Sequence, residues 1–178
     1  MGNMDQTDTL AEQVQGTGSV STGRASRTKL TMTLAYRLPG AAQSAAVSGD
    51  ETVSLGQTGT ELAFSGVSGS GTVTVERFDY GPQDPQGISE SNVSTYRLTI
   101  GTSGDLRFGE AGIRLVVGQF AGIDKPENVT IYKRSTAGSG TFKELTTTVG
   151  DNGTDEVSDD TLYATAESFS EFVLASDT

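Results

Sequence analysis

Period-two alternation in short bursts, each closed off by glycine or proline, most limits what this chain can fold into. Leu30, Met32, Leu34 and Tyr36 alternate with Thr31, Thr33 and Ala35 until Leu38-Pro39-Gly40 stops the run. Side chains of a strand point alternately to opposite faces, so such a run reads as a half-buried β-strand. Comparable segments lie at 52–55, 61–64, 72–78, 95–100, 113–117, 129–134, 142–147, 162–166 and 171–175. Within them Tyr96, Leu98 and Ile100 share one face, as do Ile113, Leu115 and Val117. No stretch holds the 3.6-residue period of a long amphipathic helix; only the small apolar run 41–47 is a candidate short helix. About ten short strands spaced roughly 8–12 residues apart specify an all-β fold. The expected architecture is an antiparallel β-sandwich, jelly-roll-like or Ig-like. Its expected core is Leu30, Met32, Leu34, Tyr96, Leu98, Ile100, Ile113, Leu115, Val117, Val129, Ile131, Phe169, Phe172 and Leu174. The segments share no fixed-period repeat, which argues against a solenoid or propeller.

Residues 1–27 lack the alternation. Leu10 and Val14 give a weak helical hint, and 16–23 is a Gly/Ser/Thr stretch with little to bury. The expected organisation is an N-terminal arm or linker over 1–27 and one sandwich domain over 28–178. The arm has two readings: a flexible linker, or an extended strand that needs a host sheet.

Composition narrows the chemistry. The 178 residues contain no Cys, His or Trp, while Thr (25), Gly (23) and Ser (19) dominate. That excludes disulfides, thiolate or imidazole metal sites, and nucleophiles relying on a Cys or His partner. The chain is therefore expected not to be an enzyme. A net charge of −11, with Arg and Lys scattered singly, disfavours nucleic acid and anionic membrane surfaces as partners. No apolar run approaches the ~20 residues of a membrane helix, so membrane insertion is not expected. Met1-Gly2-Asn3-Met4-Asp5 shows neither the basic nor the apolar region of a signal peptide.

Two acidic constellations stand out. Residues 150–160 place Asp151, Asp155, Asp159 and Asp160 within reach of one another in sequence, oxygen ligands of the type that holds Ca²⁺. The EF-hand spacing fails, since Gly153 occupies the third position, and Asn152-Gly153 is itself a hairpin-turn signal. A solvated acidic loop competes with the Ca²⁺ site. The loop 79–88 carries Asp79, Tyr80 and Asp84. Two carboxylates and an aromatic could serve a glycosidase, but Pro82 and Pro85 more simply fix a wide crossover between sheets. The Gly-rich segment 135–140 has no phosphate-loop pattern and reads as a turn. The sequons at Asn92, Asn128 and Asn152 matter only in a glycosylating host.

The second half also carries a resemblance. Its residues are Val73-Thr74-Val75-Glu76-Arg77-Phe78, Ser94-Thr95-Tyr96-Arg97-Leu98-Thr99-Ile100, Leu106-Arg107-Phe108-Gly109 and the run from Ile123 to Arg134. They end in Ser168-Phe169-Ser170-Glu171-Phe172-Val173-Leu174-Ala175-Ser176. This order, over roughly residues 73–176, resembles the β-sandwich modules of secreted bacterial surface proteins that precede a type IX secretion sorting domain. The resemblance implies an extracellular or cell-surface, non-catalytic module with no motif-defined active residues. In the closing motif Phe169 and Phe172 are expected to enter the core around a bulge, with Glu171 pointing outward. The leading functional expectation is a structural module that self-associates as a filament or surface-layer subunit. The arm would supply a strand to a neighbouring copy. The alternative is an adhesion or carbohydrate-binding module, with Ca²⁺ as an aid and Tyr or Phe as the stacking groups.

Overall fold

The computed structural model describes residues 20–22, 26–28, 39–82, 84–89 and 93–176. The chain divides into two compact units, Met1–Leu38 and Pro39–Thr178. In the first, strands β1 (Val20–Thr22) and β2 (Ser26–Thr28) pair antiparallel. The expected strand at 30–36, with Leu30, Met32 and Leu34, lies outside the described residues.

The second unit is an all-β sandwich of two antiparallel sheets. Its strands are β3 (Ala41–Val47), β4 (Thr52–Leu55), β5 (Thr60–Ser65), β6 (Gly71–Phe78), β7 (Val93–Gly104) and β8 (Glu110–Val116). They continue with β9 (Val129–Arg134), β10 (Lys143–Glu144), β11 (Thr148–Gly150), β12 (Thr161–Ala166) and β13 (Glu171–Ser176). Sheet I has the order β10-β9-β13-β7-β6-β3, and sheet II the order β11-β12-β8-β5-β4. The last strand therefore enters the middle of sheet I, between β7 and β9. Alternation drives the packing, because one face of each strand supplies the layer between the sheets. Val73, Val75, Leu98, Ile100, Ile131, Phe172 and Leu174 come from sheet I, and Leu62, Phe64, Ile113, Leu115 and Leu162 from sheet II. Tyr96 and Phe169 are half-buried against this core. Val117 is buried too, but in a short 3-10 turn after β8 instead of in a strand.

Both ends of the sandwich are closed by aromatic contacts. Phe64, Phe108 and Phe169 meet with ring centroids 4.8 to 5.9 Å apart. At the other end Arg77 reaches the rings of Tyr96 and Phe120, and its Nη1 donates to the Gln119 carbonyl at 3.1 Å.

Three expectations are corrected. Residues 41–47 are a strand, not a short helix. They pair residue for residue with β6, from Ala41 opposite Arg77 to Val47 opposite Gly71. Tertiary pairing overrides the helix preference of a run containing four alanines. The 79–88 loop is not a crossover between sheets, since β6 and β7 are neighbours in sheet I. It is a long hairpin connection. Phe169 and Phe172 are not joined by a bulge: Phe169 precedes β13, and the register break against β7 falls later, between Val173 and Ala175.

At the far end of the β6–β7 hairpin, Gly71 sits opposite Gly104. A methyl on Gly71 would collide with the Ser103 carbonyl and reach the Leu106 side chain, whereas Gly101 has nothing within 4 Å. Gly71→Ala is thus expected to cost about 1–3 kcal/mol through overpacking. Gly101→Ala should stay within about 1 kcal/mol of the parent in the same urea-denaturation series.

Candidate functional site

Glu171 follows Ser170 and opens β13, where its partners in register are Thr99 on β7 and Arg134 on β9. Alternation sends Phe172 and Leu174 into the core and Glu171, Val173 and Ala175 to the outer face of sheet I. Yet all five are buried. Two loops cover that outer face: the 79–89 connection and the turn at 135–142.

The carboxylate of Glu171 ties both loops to the sheet. Its Oε2 accepts from Arg134 Nε at 2.7 Å and from the Gly138 backbone N–H at 2.6 Å, while Oε1 accepts from Arg97 Nη1 at 3.4 Å. Arg134 Nη1 donates to the Asp84 carbonyl at 3.3 Å, and its guanidinium lies 4.6 Å from the Phe142 ring centroid. Arg97 lies 4.2 Å from the Phe78 centroid and 5.1 Å from that of Tyr80, and donates to the Tyr80 hydroxyl at 3.3 Å. The loops also bond each other, Phe142 N–H to the Gln86 carbonyl at 2.8 Å. Phe78, Phe142, Val173 and Ala175 form the apolar part of this layer. A buried charge persists only where it is paired and its remaining hydrogen-bonding capacity is met. Here both oxygens accept from donors, so the carboxylate ties the 135–142 turn and both arginines to the sheet.

The outer face of sheet II is different. Glu61, Arg114 and Tyr163 stand in register across β5, β8 and β12. Glu61 and Arg114 form an exposed ion pair at 3.6 Å. Tyr163 is 41% exposed, and its ring lies over Gly112 where a Cβ would clash with it. Beside this row lies an open groove of about 400 Å³, lined among others by Ser54, Glu61, Arg114, Asn152, Asp159 and Thr161. A second depression, of about 330 Å³, includes Glu110, Lys133 and Glu167. Lys133 Nζ donates to Ser168 Oγ at 2.7 Å. Burial pushes the Lys133 ammonium below its ordinary pKa, opposed by the Glu167 carboxylate.

The acidic residues of 150–160 are used locally. Asp151 Oδ1 accepts from the Gly153 N–H at 2.6 Å, and both Asp159 oxygens lie 2.9 Å from the Thr154 hydroxyl. The backbone of Asp160 accepts from Val117 N–H at 2.9 Å, and Asp155 is exposed. Among the described residues no group of three or more carboxylates is arranged to hold a metal ion. Asp79 and Asp84 also serve their own loop: Asp79 pairs with Arg77 at 3.5 Å, and the Asp84 carboxylate accepts from Gln86 Nε2 at 3.0 Å. The 136–139 segment closes as a tight turn, Ser139 N–H to the Thr136 carbonyl at 3.2 Å.

Sequence reasoning missed the Glu171–Arg134–Arg97 cluster. The available signal was a lone acid ahead of Phe172-Val173-Leu174-Ala175 and a lone Arg ending 129–134. Only the pairing of β13 with β9 brings them together. No protein-family model, curated protein or solved structure matches the chain.

Removing the carboxylate leaves two guanidiniums and the Gly138 N–H without their shared acceptor. Glu171→Ala is expected to lower unfolding free energy by about 3–5 kcal/mol. Glu171→Gln, which keeps one acceptor oxygen, should fall between the two in urea denaturation.

Proposed function

We propose that the chain is a non-catalytic structural module of an extracellular surface, which assembles by strand addition between copies. The observation that carries this reading is the use of Glu171. This fully buried carboxylate accepts from Arg134, Gly138 and Arg97, so the buried charge serves the frame. The composition, without Cys or His, supports the same reading, and the surface-module resemblance supports the location. Arm residues 1–27 are the proposed donor. A strand passed from each copy to the next is a head-to-tail contact that need not close, and an open one builds a filament.

A second reading is favoured by the outer face of sheet II. Tyr163 beside the Glu61–Arg114 pair offers a ring for stacking and polar groups for sugar hydroxyls, next to an open groove. On a glycan array, with and without EDTA, the structural reading expects no binding. Glycan binding lost in Tyr163→Ala would favour the second reading, and its loss in EDTA would bring Ca²⁺ back.

The arm is tested by truncation. The Pro39–Thr178 unit carries its own core, so deleting residues 1–27 should preserve the strand-rich circular dichroism. Open-ended polymer, followed by light scattering and electron microscopy, should disappear. Polymer from the truncated chain equal to that from the full chain, or a full chain that never assembles, would overturn the arm's role.

A further inference from the structure

A strand at the edge of a sheet presents unpaired N–H and C=O groups, and proteins blunt such edges with shortness, charge or proline. Among the described residues the sandwich has four edges. β10 is only two residues long, Lys143 and Glu144, and both are charged. β11 is three residues long and runs into the acidic loop at Asp151. β4 is four residues long and is entered through Asp50 and Glu51. These three edges are poor templates for a second strand.

β3 is the exception. It is seven residues long, contains neither charge nor proline, and pairs on one side only, with β6, among the described residues. Its outward side chains, Ala42, Ser44 and Ala46, are small and exposed. The adjacent strand adds Thr72 and Thr74 to the same face, with Ser44 Oγ and Thr74 Oγ1 bonded at 2.8 Å.

We propose that β3 pairs antiparallel with β3 of a second copy about a twofold axis through Ser44, joining the two six-stranded sheets edge to edge. The strand is close to self-complementary about that residue. Its outer face reads Ala-Ser-Ala in either direction, so Ser44 meets Ser44 and Ala42 meets Ala46 of the second copy. On the inner face Gln43 meets Ala45, and Ala41 meets Val47. A twofold contact requires the same patch to complement itself, and the small side chains of this strand meet that requirement. Charge favours the same edge. Each copy carries −11, yet no charged side chain stands on β3. The outward acid across the ladder, Glu76 opposite Ala42, already accepts from the Thr99 hydroxyl at 3.0 Å. At the two ends of the strand Glu51 accepts from the Ser48 N–H at 2.8 Å and Asp79 pairs with Arg77 at 3.5 Å. In the paired arrangement the two Glu76 positions fall roughly 20 Å apart by strand spacing and rise, about twice the screening length in physiological salt. The contact rests on the self-association reading above, but not on the arm. It closes at two copies, whereas arm exchange need not close.

The chain has no cysteine, so single thiols report the register directly. Residues facing each other across an antiparallel pair have Cα atoms about 4.5–5.5 Å apart, within the range of a disulfide. In the full-length chain, Ser44→Cys should convert mostly to covalent dimer under mild oxidation. Ala42→Cys should remain monomeric on non-reducing gels, because the two thiols would sit four residues out of step, about 13 Å apart. Ala42→Cys combined with Ala46→Cys should crosslink as readily as Ser44→Cys. Ser54→Cys, exposed on edge strand β4, serves as the control for random collision. Ser44→Lys, which puts like charges on the axis, should weaken the dimer at least about tenfold in sedimentation. Crosslinking of Ser44→Cys no better than Ser54→Cys, or equal crosslinking of Ala42→Cys alone, overturns the pairing. The first of these results is also what coverage of β3 by residues 29–38 of its own chain would give. If Ser44→Cys fails while the full chain still polymerises, the twofold contact is wrong and the structural reading stands. If no assembly of any kind appears, both fall.

Discussion

The insertion of the final strand between β7 and β9 is the constraint on which the rest of the sandwich depends. Until β13 arrives, sheet I is two pieces, β10-β9 and β7-β6-β3, with no ladder between them. The join is non-local on both sides: Glu171 pairs with Thr99 and with Arg134. Such contacts carry a high loop-closure entropy cost before they yield any stabilisation, so sheet I is joined only once β13 has docked. The ionic cluster reinforces that join. One carboxylate bonds β7 through Arg97, β9 through Arg134 and the 135–142 turn through Gly138.

A central strand buried on both faces needs a third layer, and here loops supply it. Loops that cover a sheet bring backbone polar groups which must be satisfied. Guanidinium groups do this well, because their planar forks bond carbonyls and carboxylates while their faces stack on rings. Arg134 and Arg97 each do both, against Phe142 and against Phe78 and Tyr80. The outcome is a module with one outer face held shut over the Glu171 end of sheet I and one left open. The open face of sheet II carries Tyr163 and the Glu61–Arg114 pair at the surface. The two faces therefore differ in exposure, one covered by loops and one meeting solvent.

Edge chemistry decides which strand is open to the proposed self-association. Short or charged edges at β10, β11 and β4 resist strand addition, and the neutral length of β3 does not. For an acidic chain this matters, since repulsion between two copies is least where the facing strand itself carries no charge.

Most of the fold class was legible in the residues. Period-two runs with Gly and Pro breaks located the strands at 52–55, 129–134 and 162–166 closely, because alternation is a local consequence of the pleat. The core residues Leu98, Ile113, Leu115, Ile131, Phe172 and Leu174 followed from the same local rule. Residues 41–47 escaped it, since alanine and serine mark neither face and only pairing with β6 defines the strand. The site was not legible at all. Glu171 lies on the outward side of β13, as alternation requires, but whether that side meets water depends on loops far away in sequence. Residue type and local period decided which side chains point together. Only the tertiary structure decided that the outer face at Glu171 is buried and that Arg134 and Arg97 stand beside it, because strand order and loop placement are set by contacts between distant segments.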